Sequence, residues 1–350
     1  MNVLLINRDD ARENPGGDTV VIEETADFLQ AQGYGVEVSS STDLDLTRFD
    51  ALHLFNLTRP QAIIGIARRA LATRIPYSVT PIYWDLVEGI PWQAYEPPRS
   101  WRIRFTPKSL RYGSPFSQRT DERMLQYEVL AGAHCLFPES RAEAEHLRER
   151  FGTAMSDLDV HILPHGVLWQ PRPTVAPRCS LICAGAIGPR KNQLGLVHAL
   201  AKDPSLDLEI LGAVPPGCHR YAKKVREAAP AHIRFRDAIP HDEVSSTLAA
   251  AKALVQPSFI ETPGLAAMEA RSLGLPIVVS EFPPVRECFG KDPRVFYCDP
   301  TRPEQIHEAC RRAVATPPDD GIRFAEARKW SILFEPMATA YRRLFESSEY

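Results

Sequence analysis

Short apolar runs of strand length alternate along this chain with longer segments of helical period, and the alternation breaks once, at a proline-dense stretch, before resuming. Before the break the runs are NVLLIN, GVEVSS, ALHLFN, YSVTPIY, HCLFPES and VHILPHG. After it they are SLICAGAIG, LDLEILGAV, IRFRDAIP, ALVQPSF, PIVVSE and RVFYCDP. Between them lie amphipathic segments such as TVVIEETADFLQAQG, SRAEAEHLRERFG and PEQIHEACRRAVA. Runs of this kind belong to strands crossed by helices, so the pattern predicts an α/β fold with doubly wound parallel sheets. The break, LWQPRPTVAPR, has no period and reads as a linker at 169–178. It separates a domain at 1–168 from one at 179–329, and 350 residues suit two cores better than one. WSILFEPMATAYRRLFESSEY reads as one more helix over 330–350, interrupted near Pro336.

Charge and cysteine usage narrow the partners. A formal net charge of −3 gives no general attraction for polyanions, so nucleic acid is not expected as a partner. No run approaches the ~18 apolar residues of a membrane-spanning helix, and MNVLLINRDD lacks a basic flank before its apolar run. The expectation is a cytoplasmic protein. Seven cysteines without a C-x-x-C pair read as reduced core thiols, and no metal site is expected.

In open parallel sheets, ligands bind beyond the carboxyl ends of strands, where helix N-termini present free N–H groups. PSFIETPGLAAMEARSLGLPIVV places Glu261 directly after a strand and Glu269 eight positions later, on the helix opened by Gly264. Thr262, Gly264 and Leu265 can offer backbone N–H groups to an anion there, whereas Pro263 cannot. At about 1.5 Å per residue, Glu269 lies roughly 7 to 8 Å along the helix from Gly264, so the two acids can reach different parts of an elongated ligand. This spacing suits a nucleotide diphosphate sugar, and it equally suits a dipole-favoured acid followed by a solvated one. Gly16 and Gly17, in NPGGDT after the first strand, allow close backbone approach to a ligand. Asp18 is either the cap of a helix starting at Thr19 or a direct contact to the acceptor or donor. A G-x-G-x-x-G fingerprint is absent, which argues against a nicotinamide dehydrogenase.

The stretch from Pro257 to Val279 resembles the E-x7-E signature of retaining glycosyltransferases of family four (glycosyl transferases group 1), enzymes of the GT-B fold. NPGGDT looks like that family's glycine loop, ILPHGV like its end-of-domain turn, and LICAGAIGPRKNQ like its first C-terminal strand and basic loop. RFRDAIPHDEVSSTLAAAKALVQPS looks like the segment feeding the signature, and KWSILFEPMATAY like its final helix. The matches run in order along almost the whole chain, with Val87 to Leu125 the least family-like part.

The resemblance implies two Rossmann-like domains with an interdomain cleft, the N-terminal one for the acceptor and the C-terminal one for the donor. Glu261 would then contact the donor sugar, Glu269 the ribose, and Lys191 the diphosphate. Gly185, where the family places an arginine next, is followed by Ala186, and Arg190 is expected to substitute. The family's histidine after the strand YSVTPIY is also missing. Tyr83, Trp84 and Asp85 stand there, with Asp85 either a base toward the acceptor or a turn residue. Arg102 and Arg104 belong to a basic, aromatic segment, Pro97 to Thr120, that reads either as a solvated loop or as a contact to a lipid-linked acceptor or anionic membrane. The implied activity is a metal-independent hexosyl transfer from a nucleotide sugar, with retention, to a glycan, glycolipid or small-molecule hydroxyl, without a cofactor. Cell-surface polysaccharide or glycoconjugate synthesis, with peripheral contact at the inner membrane face, would be its setting. The competing readings are an epimerase or phosphorylase of the same fold, or a binding protein that has lost turnover.

Overall fold

The structure is a computed structural model that describes residues 1–8, 16–41, 43–85 and 116–346. The described residues divide into two compact units, one drawn from 1–84, 116–166 and 329–346, the other from 167–328 with Asp85.

Among the described residues, the first unit holds one six-stranded sheet, all of it parallel. Its strands are β1 (Asn2–Ile6), β2 (Gly35–Ser39), β3 (Ala51–Phe55), β4 (Tyr77–Thr80), β5 (Cys135–Leu136) and β6 (Asp159–Val160), in the order β2-β1-β3-β4-β5-β6. The second unit has β7 (Cys179–Ala184), β8 (Leu208–Leu211), β9 (Ile233–Arg236), β10 (Ala251–Gln256), β11 (Ile277–Ser280) and β12 (Val295–Cys298). These are parallel in the order β12-β11-β10-β7-β8-β9.

Burial explains why the strands read as unbroken apolar runs. In β7, Leu181 and Cys183 enter one core with Ile210, Val255 and Ile306, while Ile182 and Ala184 enter another with Leu254, Ile277 and Met268. Successive side chains point to opposite faces, and both faces here are covered. Each such Leu, Ile or Val contributes about 1.5–3 kcal/mol by leaving water.

Proline sets where several strands stop. Pro81, Pro138 and Pro257 follow β4, β5 and β10 at or within two residues of the last paired position, so pairing ends sooner than the apolar runs do. Proline cannot donate to the ladder. The chain therefore turns out at the carboxyl edge just before Tyr83, Glu139 and Glu261.

The C-terminal segment forms two helices, Trp330–Leu333 and Glu335–Glu346. The interruption falls at Phe334, and Pro336 sits in the first turn of the second helix, where its missing N–H costs nothing. Tyr341 packs inside the first unit, its hydroxyl 3.0 Å from His53 Nδ1 and 3.1 Å from Ser78 Oγ. His53 Nε2 meets Thr80 Oγ1 at 2.8 Å, and burial pushes the imidazole down to about 3, so it stays neutral. All seven cysteines are free thiols. Among the described residues, no helix is long and apolar enough to cross a membrane.

Candidate functional site

The sheet orders identify two crevices. In the second unit the chain winds outward in one direction from β7 and in the other from β10, so the loops leaving these neighbouring strands diverge. Such a switch point opens a crevice at the strand ends where ligands bind. In the first unit the equivalent place lies between β1 and β3.

At the β7/β10 switch point, Lys191 Nζ lies 2.5 Å from Glu261 Oε2. Ser258 Oγ donates to the same oxygen at 2.8 Å, and Arg190 Nη1 stands 3.7 Å from Oε1. Both ends of the Lys191–Glu261 pair are largely buried, with side-chain exposures of 13% and 6%. Burial alone would raise the Glu261 carboxyl, yet Lys191 and Arg190 outweigh it and hold the group at about 2, so it is ionised. The Lys191 ammonium is shifted down, chiefly by burial and then by Arg190, while Glu261 opposes the shift.

Backbone and glycines build this cluster. The Phe259 N–H donates to the Arg190 carbonyl at 2.9 Å, and Arg190 Nη1 to the Ile260 carbonyl at 3.4 Å, stitching the two loops together. Gln256, the last residue of β10, donates from Nε2 to the Ala184 carbonyl at 2.8 Å, joining the two strand ends. Gly264 adopts φ 94°, and a Cβ there would sit 3.0 Å from Glu261 Cγ. Gly185 has φ 137°, and a side chain on Gly212 would collide with its carbonyl, so glycine at both positions lets the ends of β7 and β8 approach.

The remaining donor-side residues surround this pair. Thr262 and Leu265 are half-buried at the start of the helix Leu265–Ser272, and Glu269 is half-buried farther along it. Arg190 stands beside Glu261 although Ala186 occupies the position next to Gly185. Asn192 takes the N-cap position of the next helix with φ 55°, but its side chain donates to the Pro300 carbonyl instead of capping.

In the first unit, Asp18 is not the cap of a helix beginning at Thr19. The helix runs Gly17–Ala31 with Gly16 at its N-cap, and the Asp18 carboxylate accepts from Arg8 Nε at 2.7 Å and from Asn56 Nδ2 at 3.3 Å. Arg8 follows β1 and Asn56 follows β3, so this polar group fills the other switch point. Arg8 is only 7% exposed, and neither it nor Asn56 was a sequence candidate. Tyr83, expected to touch the acceptor, turns its ring into the core against Phe151. Trp84 stacks on His146 at 4.7 Å, and Asp85 is half-buried beside it in sequence. Arg102 and Arg104 lie outside the described residues.

Glu143 was also missed. Ser140 caps its helix by accepting from the Glu143 N–H at 3.0 Å, the S-x-x-E signature of a capping box. The Glu143 carboxylate accepts from the backbone N–H groups of Tyr83, at 2.6 Å, and Glu139, at 2.7 Å, which joins the loops after β4 and β5. Burial pushes this carboxyl up to about 7 against those hydrogen bonds.

Residues 177–330 match the family described as glycosyl transferases group 1. The matched stretch is less than half of the chain. The cluster of Lys191, Arg190 and Glu261 lies wholly inside the matched residues. Among curated proteins the chain is similar to a D-inositol 3-phosphate glycosyltransferase of Streptomyces bingchenggensis, 29% identical over 181 residues, which are 44% of this chain and 39% of the relative. It is also similar to one from Corynebacterium diphtheriae, 31% identical over 99 residues, 27% of this chain and 23% of the relative. The match thus spans well under half the length of these curated relatives.

The likeness of fold extends further. Sucrose-phosphate synthase from Thermosynechococcus elongatus superposes with a TM-score of 0.75 at 18% identity, over 99% of this chain and all of that one. Anabaena Alr3699/HepE in complex with UDP and glucose does so at 0.69 and 15%, over 98% and 99%. Two six-stranded parallel sheets with flanking helices, matched along nearly the whole chain, are the GT-B glycosyltransferase fold.

Proposed function

We propose that this protein is a retaining, metal-independent glycosyltransferase that moves a hexose from a nucleoside diphosphate sugar to an acceptor hydroxyl. The observation that carries this reading is the buried Lys191–Glu261 pair, flanked by Arg190, at the switch point of the second unit's sheet. A buried ion pair adds little to stability by itself, so its place at a ligand crevice favours a role in binding. The structures of Alr3699/HepE with UDP and with UDP-glucose support a nucleotide sugar as donor.

When the bond between the anomeric carbon and the leaving phosphate breaks, negative charge grows on the departing diphosphate. In this reading Lys191 and Arg190 receive it, together with the backbone N–H groups of Gly264 and Leu265. Because that charge exceeds the ground-state charge, these groups favour the transition state over the bound donor. Glu261 stays ionised and accepts hydrogen bonds from the sugar hydroxyls while electron deficiency develops at the anomeric carbon. The acceptor oxygen bonds that carbon on the face the diphosphate leaves, and its proton passes to the leaving phosphate oxygen. Glu269, along the same helix, takes the ribose hydroxyls. Asp18 and Trp84 of the first unit, with Asp85 next in sequence, provide the acceptor side.

Incubation with UDP-glucose and a panel of hydroxyl acceptors, followed by NMR of the first-formed product, tests the reading. Transfer or slow hydrolysis with the donor's anomeric configuration kept is expected. Isomerised nucleotide sugar would point to an epimerase, and binding without turnover to a protein that has lost catalysis.

A further inference from the structure

At the carboxyl edge of the first unit's sheet, two loops are tied to one buried acid. The ladder between β4 and β5 runs out at the Phe137 N–H, which donates to the Val79 carbonyl at 2.8 Å. Beyond it each chain meets a proline, Pro81 or Pro138, which has no N–H to offer. The side chain of Glu143 then links the two chains: Oε1 accepts from the Tyr83 N–H at 2.6 Å, and Oε2 from the Glu139 N–H at 2.7 Å. Glu143 is 0% exposed, and the Ser140 cap fixes the first turn of the helix Arg141–Phe151 from which it reaches. In an ordinary capping box this carboxylate would go to the N–H of the cap residue. Here it holds two loops instead. The Tyr83 ring packs on His146 and Phe151 of the same helix, and Trp84 stacks on His146 at 4.7 Å, so the tied segment leads directly into this aromatic stack.

We propose that Glu143 is a proton-operated clamp on the loops that follow β4 and β5. Ionised, it accepts from both loops, one oxygen to each. A proton taken up from solvent turns one oxygen into an O–H donor that faces an N–H, so one tie is lost while the other stays. Burial raises the carboxyl to about 7, and the two N–H bonds oppose the rise, so the clamp changes state between neutral and mildly acid pH. The charged or titratable side chains on the segments that meet here are Glu139 after β5, with His165 at 3.4 Å from it, and Arg141, Glu145 and His146 on the helix of Glu143. Asp85 follows Trp84 in sequence. The clamp stands apart from the transferase reading, which enters only through Trp84, the acceptor-side residue next to Tyr83.

The test is an NMR pH titration of the full chain carrying 13C at the glutamate carboxyl carbons and 15N at the tyrosine amides, assigned through Glu143→Gln and Tyr83→Phe. The Glu143 carboxyl signal should titrate with a midpoint between about pH 6 and 8. The Tyr83 amide proton should move upfield with the same midpoint as pH falls. That movement should persist in His146→Gln and Glu139→Gln and vanish in Glu143→Gln. A Tyr83 amide that is unmoved, that moves equally in Glu143→Gln, or that stops moving in either control variant would overturn the proposal. A wild-type Glu143 carboxyl without a midpoint in that range would do the same, whether or not Glu143→Gln folds. The rise in melting temperature caused by UDP reports the donor reading separately and should be the same in wild type and Glu143→Gln. If the Tyr83 amide stays still while UDP stabilises the protein, the clamp falls and the donor reading stands.

Discussion

Lys191 Nζ and Glu261 Oε2 stand 2.5 Å apart although the residues are 70 positions apart in the chain. The contact exists because β7 and β10 are neighbours at the switch point and each sends its following loop over the same crevice. Removing one partner leaves an uncompensated buried charge. Lys191→Met should therefore cost about 3–5 kcal/mol, and the double variant Lys191→Met/Glu261→Gln should recover much of it. Urea unfolding of the four proteins checks this, and additive losses would show that the two side chains are not coupled.

The same pair fixes the sign of an acid dependence. Glu261 is held at about 2 in the native state against 4.5 ordinarily, so its contribution is fully present above pH 4.5 and is lost as pH falls toward 2. The stability gap between wild type and Glu261→Gln should be constant from pH 7 to 5 and narrow below about 4.5. A gap that stays constant down to pH 2.5 would mean that the carboxylate is not held by the two cations.

Gly264 has a backbone conformation that a side chain would strain, and a Cβ there would press on Glu261. Gly264→Ala should cost about 1–3 kcal/mol and displace the carboxylate. Its turnover should fall more than its stability explains, seen as a low rate at a temperature where circular dichroism reports a native fold.

Tyr341 anchors the C-terminal helix through His53 and Ser78. Tyr341→Phe leaves His53 Nδ1 buried without a partner and should cost about 1–3 kcal/mol in chemical unfolding. The rate of donor turnover below the unfolding transition should not change.

The double-sheet plan was legible because strands covered on both faces leave uniformly apolar runs, as Leu181 to Ala184 show. Strand ends were less legible: YSVTPIY and ALVQPSF read as longer strands, and Pro81 and Pro257 cut them short. Glu261 could be singled out because it follows a strand, and Arg190 because it adjoins Lys191. Their distance from each other could not be read, since it depends on which strands become neighbours. Arg8 and Asn56 were missed for the same reason: their common partner is Asp18, 10 and 38 positions away. Tyr83 shows a further limit, because position after a strand does not reveal which way a loop residue turns. Glu143 did leave a local trace, the S-x-x-E box, but its hydrogen bonds to two loops did not.

On the proposed function, the donor reacts at the cluster of Lys191, Arg190 and Glu261. This is tested most directly by the initial rate of UDP release from UDP-glucose, measured for wild type and Glu261→Gln at saturating donor with the fold verified. A loss of about 100-fold or more is expected, the scale of losing one group that stabilises transition-state charge. A Glu261→Gln rate within twofold of wild type would contradict it.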